Sequence, residues 1–350
     1  MDGVSLRSTR DSGELRLGPV RYSGEIAYYR AALGGPVASG AVRRAFAGPC
    51  DNRDMARVAQ RLSENARGPF FVDSSCIDCG ACRVIAPRHF RRGRGGLSIV
   101  HRQPETESER TRALMALVAC PTSSIGTEPR IDAAPGVAAF PELLDEEAQV
   151  YFCGFTAESS FGATSYLVRR AVGNVLVDSP RAAGPLLRRL EELGGVRWMF
   201  LTHRDDVADH RRFRERFGCE RILHARDVGA GTRDVELKLE GEEPYPLADD
   251  LLAIPVPGHT AGSTVLLYRE RFLFTGDHLM GTEDGRALEA GRDVCWHSWP
   301  EQIRSMRRLL DLRFEWVLPG HGGRYRATSP AAMRTEIERL VGEMRNSDCN

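Results

Sequence analysis

The sequence predicts an α/β protein of more than one domain, on three observations. From residue 149 onward short apolar stretches alternate with amphipathic ones. Polar residues cluster just beyond the ends of the apolar stretches, where α/β folds place their sites. Upstream, three cysteines fall within one short stretch, Cys76 to Cys82. The length of 350 residues suggests two or three domains, and 42% hydrophobic content supplies a packed core. Basic and acidic residues balance at 48 each, which excludes a field built to hold nucleic acid or an anionic membrane. No apolar run is long enough for a transmembrane helix, and the opening residues carry charges of both signs without the apolar core of a secretory signal. A cytoplasmic protein is expected. Its nine cysteines, an odd number, fit a metal or cluster site better than a fully paired disulfide framework.

Residues 1–45 are rich in Gly, Ser, Arg and Ala with weak periodicity and read as a loose extension. A helix is expected at 51–66, N-capped by Asp51, with Met55, Val58, Ala59 and Leu62 on one face. It opens a cysteine-bearing domain over 46–127. Residues 128–148 carry three prolines without a clear period and read as a linker. In the domain over 149–350, strands are expected at 166–168, 174–177, 196–203, 251–259, 263–268, 271–277 and 314–321, each an apolar run. Helices are expected at 184–195, 210–218 and 300–312, the first two closed by Gly194 and Gly218.

Cys76-Ile-Asp-Cys79-Gly-Ala-Cys82 and the later Cys120-Pro121 offer four thiolates. A tight loop can wrap three sulfurs around one face of a cubane iron–sulfur cluster while a distant segment supplies the fourth. A structural zinc site is the alternative for such a set, but the third cysteine at the same spacing and the Cys-Pro pair favour iron–sulfur. The pattern resembles bacterial-type ferredoxins. In their two-cluster form the run continues to a further Cys-Pro, and here that place is Ala86-Pro87. The resemblance implies a small α+β ferredoxin-like domain with one 4Fe-4S cluster on Cys76, Cys79, Cys82 and Cys120.

Four further segments put imidazole or carboxylate at strand ends: His203-Arg-Asp205-Asp206-Val-Ala-Asp209-His210, Gly258-His259, Gly276-Asp277-His278 and Gly320-His321. Gathered at one edge, they offer ligands for two metal ions. In their order they resemble the metallo-β-lactamase superfamily over 149–325. The resemblance implies an αββα sandwich and two divalent metal ions, Fe, Zn or Mn. It implies His203 and His259 on the first ion, Asp209, His210 and His321 on the second, and Asp277 between them. Asp178 matches an acidic residue that organises the family's site. The second motif departs from the usual H-x-H-x-D-H: it is two residues longer, and its second histidine is missing. Asp205 stands in that place by count, with Asp206 as competitor. A carboxylate there resembles the flavodiiron branch, although nothing in the chain resembles that branch's flavodoxin domain. The other candidates, His224, His278, His297, Trp296 and Trp299, read as structural, and Cys153, Cys219 and Cys295 as buried thiols.

Two functions follow from these readings. In the first, slightly favoured, the cluster passes electrons to a di-iron site that carries out a redox reaction on a small molecule, fed by an external electron donor. In the second, a dinuclear zinc site hydrolyses an ester, thioester, lactam or phosphoester, with Asp209 or the bridging water handling the proton, Asp205 a further catalytic candidate, and the cluster structural or regulatory. A third reading is an electron-transfer or sensing protein with an idle metal site. Specificity is expected from loops 155–165, 228–246 and 280–298. The substrate and oligomeric state are not written in the sequence.

Overall fold

The computed structural model describes residues 56–348. The extension expected at 1–45 lies outside them, as do the first residues of the helix expected at 51–66. The remainder of that segment is not helical. It holds a single turn, Val58–Gln60, and Arg61 then bridges to Asp73 in extended geometry. The cause is Asn65, whose amide donates to the carbonyls of Leu62 and Val72 at 2.8 Å each. Its carbonyl accepts the buried N–H groups of Val72 (3.1 Å) and Val100 (2.9 Å). These long-range bonds outweigh a weak local helix preference. Asn65→Ala should leave two buried N–H groups unpaired and lower stability by about 3 kcal/mol, read as a shifted denaturation midpoint.

The cysteine-bearing lobe comprises β1 (Phe70–Val72), α1 (Ala81–Ile85), β2 (Phe90–Arg92), β3 (Ser98–Val100), α2 (Glu107–Ala119) and β4 (Ile125–Thr127). β1 pairs antiparallel with β4, and β2 with β3. α2 begins in a capping box: Glu109 N–H donates to the Thr106 hydroxyl and the Glu109 carboxylate accepts from Thr106 N–H.

The stretch 128–148 is structured where a linker was expected. It holds α3 (Ala134–Ala138), which lies against α2, and β5 (Glu142–Asp145), which pairs antiparallel with β6 (Val150–Phe152). A Cβ added at Gly136 would sit 2.6 Å from the Leu114 carbonyl carbon, so glycine permits this approach.

The chain continues through β7 (Tyr166–Val168), β8 (Val175–Val177), α4 (Gly184–Glu192), β9 (Trp198–Phe200), α5 (His210–Phe217), β10 (Glu220–His224) and β11 (Leu237–Leu239). With β5 and β6 they form a seven-stranded sheet, ordered β11-β10-β9-β8-β7-β6-β5, parallel from β8 to β11 and antiparallel from β5 to β8. β12 (Tyr245–Ala248), β13 (Leu251–Pro255), β14 (Thr264–Tyr268) and β15 (Phe272–Gly276) start the second sheet. A hairpin of β16 (Met280–Gly281) and β17 (Leu288–Glu289) and helix α6 (Trp299–Arg308) intervene before β18 (Trp316–Pro319), β19 (Tyr325–Arg326) and the closing helix α7 (Pro330–Asp348). The six strands run β12-β13-β14-β15-β18-β19.

Alternate residues of the second sheet serve two cores. Leu251, Ala253, Leu266, Phe272 and Phe274 join the core shared with the first sheet, and the Tyr166 and Phe274 rings meet at 5.5 Å. Ile254, Val265, Leu267, Leu273 and Val317 join a core with Met306 of α6 and Ile337 of α7. Because both faces of these strands are covered, they read as continuous apolar runs. No helix among the described residues is long and apolar enough to cross a membrane.

Candidate metal centres

The first centre is built on two turns. Asp78 and Gly80 both take left-handed backbone (φ 58 and 80), which folds the chain so that Cys76 and Cys79 precede α1 and Cys82 lies within it. Cys120 caps the C-terminus of α2. The four sulfurs line one pocket with Val72, Ile77 and Ile125. The N–H of Asp78 donates to Cys76 Sγ (3.4 Å) and that of Ser124 to Cys120 Sγ (3.3 Å). Burial pushes the Cys79 thiol up to about 12, and burial also raises Cys82 and Cys120. Thiolates this crowded and dry repel one another unless a cationic centre holds them, so the donor set fits an iron–sulfur cluster. Beside them Arg83, itself buried, donates to Asp78 (2.6 Å), Ser98 (2.6 Å) and Glu283 of the β16–β17 hairpin (2.7 Å). All seven cysteines among the described residues are free thiols.

The second centre lies where strands of the two sheets end. Asp178, after β8, accepts Thr202 N–H (2.8 Å) and the Thr202 hydroxyl (2.9 Å), and that hydroxyl sits 3.0 Å from His203 Nδ1. This chain of contacts leaves His203 Nε2 aimed inward. His203 and His259 rings stand edge to face with centroids 4.8 Å apart. Asp205 Oδ2 lies 3.9 Å from His203 Nε2 and 3.6 Å from His259 Nε2, and Asp277 Oδ2 lies 3.7 Å from each. His321 Nε2 is 3.8 Å from Asp277 Oδ2 and 3.9 Å from Asp206 Oδ1. These spacings suit donors that share cations at about 2.0–2.2 Å. Among the described residues, buried His203 Nε2, His259 Nδ1 and Nε2, Asp206 Oδ2 and Asp277 Oδ1 have no hydrogen-bond partner. Orphan donors of this kind are costly without a ligand, and they fit metal ions.

Burial, with Asp277, Asp178 and Asp205 nearby, raises the Asp206 carboxyl well above the usual range. Burial opposes ionisation of Asp277, yet the imidazoles of His321, His203 and His259 hold it below that range. The His259 imidazole, 3.6 Å away, keeps the half-exposed Asp205 carboxyl low. Gly320 completes the geometry, since a Cβ there would lie 2.6 Å from Asp206 Oδ2 and 2.7 Å from Asp277 Oδ1.

Two expected ligands are elsewhere. Asp209 stands at the N-terminus of α5, its carboxylate accepting Ala182 N–H (2.7 Å) and facing Arg212 (3.5 Å). His210 is buried against Arg221, 3.0 Å from its guanidinium. The two-residue extension of the motif is the cause. α5 starts only at His210, so that end of the motif turns away and Asp206 is the carboxylate that points inward. The Asp209 carboxylate is thus turned to Ala182 N–H and Arg212 rather than to the His203 and His259 rings.

Asp227, which the sequence did not single out, pins the centre from behind. It accepts Arg204 N–H (3.0 Å), the Thr260 hydroxyl (2.6 Å) and Gly262 N–H (2.8 Å), tying the His203 loop to the His259 loop. Loop 155–165 brings the Phe161 ring 6.1 Å from that of His321, and loop 280–298 brings Trp296 6.4 Å from His259. Phe161 and Trp296 are the exposed aromatic residues among those described, so Trp296 is not a core residue, whereas Trp299 is. Residues 228–246 carry β11 and the start of β12. His224 bonds to the Gly241 carbonyl (2.9 Å), His297 to Glu301 (3.1 Å), and His278 is fully buried beside Asp277. Cys153 and Cys219 are buried, and Cys295 is half-buried, donating to the Gly258 carbonyl (3.2 Å).

Residues 72–127 match the family model of the 4Fe-4S single cluster domain of Ferredoxin I, and residues 160–321 match that of the metallo-beta-lactamase superfamily. No curated protein matches the sequence. Similar solved structures include ETHE1 from Myxococcus xanthus, 22% identical over 55% of this chain and 84% of that one, with a TM-score of 0.41. The B3 metallo-beta-lactamase BLEG-1 is 21% identical over 51% and 94%, with a TM-score of 0.41. BJP-1, a subclass B3 metallo-beta-lactamase of Bradyrhizobium japonicum, is 16% identical over 59% and 92%, with a TM-score of 0.41. On its two family matches and its layered sheets, the chain joins a single-cluster 4Fe-4S ferredoxin-type domain to a metallo-β-lactamase-fold domain.

Proposed function

We propose that this metal-dependent enzyme is an oxidoreductase in which the cysteine site feeds electrons to a dinuclear iron site acting on a small molecule. The observation that carries the reading is the donor set of the second centre. Three carboxylates (Asp205, Asp206, Asp277) meet three imidazoles (His203, His259, His321), with buried orphan atoms on both kinds. Such a set is harder than an all-histidine one and favours iron or manganese. When bound, the cluster would supply single electrons and the two cations a redox centre. His203, Asp205 and His259 would hold one ion, Asp206 and His321 the other, and Asp277 both. Thr202, with Asp178 behind it, fixes the ring of His203, and Asp227 fixes the loops that carry His203 and His259. Cysteine N–H···S bonds from Asp78 and Ser124 would tune the potential of the cluster. Phe161 and Trp296 stand at the mouth, where a substrate would meet them first. An external one-electron donor completes the cycle.

A hydrolytic reading draws on Asp205, whose half-exposed carboxylate leaves the centre open to water. Metal analysis of anaerobically purified protein separates the two. The redox reading expects about six irons per chain, four in the cluster and two at the carboxylate-rich site. About four irons with two zincs would overturn it in favour of hydrolysis.

A further inference from the structure

We propose that the segment Phe161–Thr164 is the electron bridge between the cluster cysteines and the second metal centre, a role that rests on the redox reading above. At one end, Gly162 touches a cluster ligand: a Cβ added to it would lie 2.7 Å from Cys79 Cβ, 2.8 Å from Cys79 Sγ and 3.3 Å from Pro121 Cγ. At the other end the segment meets His321 once and the two residues before it. The Phe161 ring lies 6.1 Å from the His321 ring, tilted by 53°. Thr164 N–H donates to the carbonyl of Gly320, directly before His321, at 2.7 Å, and the Thr164 hydroxyl donates to the Pro319 carbonyl at 2.6 Å. Two peptide bonds and the hydrogen bonds of Thr164, whose hydroxyl also reaches the Gly320 carbonyl (3.0 Å), thus connect the residue against Cys79 to the residue before a metal-site histidine. A further contact beside a cluster ligand, from the Thr156 hydroxyl to the Ala119 carbonyl (2.6 Å), leads into the same loop.

The loop is shaped for this contact at a cost. Phe161 and Gly162 both take left-handed backbone (φ 46 and 83). For phenylalanine that conformation is strained, and an outlier of this kind calls for a reason beyond packing, since the ring is 55% exposed. The strain is held by Phe161 N–H to Glu158 O (3.0 Å), Gly162 N–H to Ala157 O (2.9 Å) and Ala163 N–H to Ser160 O (2.8 Å). An electron tunnels more readily through covalent and hydrogen-bonded atoms than across an open gap, and this is a continuous chain of such atoms. In the proposed step one electron moves. The cluster, once reduced by an external one-electron donor, would return to its oxidised state, and a ferric ion held at His321 would become ferrous. No bond forms or breaks, and no proton moves.

The test uses full-length protein loaded anaerobically with the cluster and two ferric ions. It is mixed with dithionite and freeze-quenched, with EPR reporting the cluster and Mössbauer spectra the two irons. Phe161→Ala and Thr164→Val should reduce the cluster as fast as wild type but slow reduction of the irons by an order of magnitude or more. Resting spectra and iron content should be unchanged, and Phe161→Trp should restore the rate. If wild type transfers the electron and both variants match it, the bridge is overturned while the redox reading stands. If the wild-type irons stay ferric beside a reduced cluster, or cluster-free Cys79→Ser protein reduces them equally fast, the redox reading itself fails.

Discussion

Gly162→Ala should purify without its iron–sulfur cluster. Alanine would have to adopt left-handed backbone at φ 83, which costs about 1 kcal/mol in itself. The larger effect is the clash, because its methyl carbon would sit 2.7 Å from Cys79 Cβ and 2.8 Å from Cys79 Sγ. No flexible side chain stands between them, so the ligand must move, and a sulfur displaced from its pocket no longer closes the set of four. Sulfide and iron assays should show most of the cluster lost, with absorbance near about 400 nm falling in proportion. The second centre, whose ligands lie on other strand ends, should still take up metal. A variant with a full cluster would show that the loop does not press on Cys79.

The second large effect separates two aspartates three residues apart. Asp206→Asn should weaken the His321-side metal by more than the roughly 10–100-fold that loss of a supporting partner costs, because a charged donor is removed outright. The protein should then hold one metal ion at this centre under conditions where wild type holds two. Asp209→Asn should keep both ions. Its change falls on the hydrogen bond from Ala182 N–H, worth about 1 kcal/mol of stability. Cobalt or zinc titration of cluster-loaded protein reads both variants. Equal loss in the two would mean that the α5 end of the motif turns inward after all.

These two aspartates also mark where the sequence stops being legible. His203, His259, Asp277 and His321 each follow an apolar strand, and buried strands announce themselves as apolar runs whose ends must meet at one edge. Asp209 and His210 were expected at the centre by motif position, but an insertion between strand and helix erases the register. Only the direction in which the chain leaves β9 tells Asp206 from Asp209. Asp227 and Gly162 were invisible for a different reason: their partners lie at Thr260 and Cys79, far away in the chain, and neither residue type is unusual for a loop. The helix expected near residue 60 failed because Asn65 bonds to two strands that local periodicity does not reveal. β5 was missed because a short acidic strand is recognisable only by its pairing with β6.

The stretch between the two family matches leaves a protease little to cut. α3 lies on α2 of one lobe, while the next few residues become the edge strand of the other lobe's sheet. Proteases nick, and recombination splices, where chain is exposed and irregular. A break before α3 would uncover α2, and a break after β5 would take the edge strand from the sheet, so residues 139–141 are the short stretch where a cut leaves both intact. The cluster lobe and the sandwich therefore meet across three residues, and proteolysis that separates them cleanly should cut there and nowhere else in 128–148.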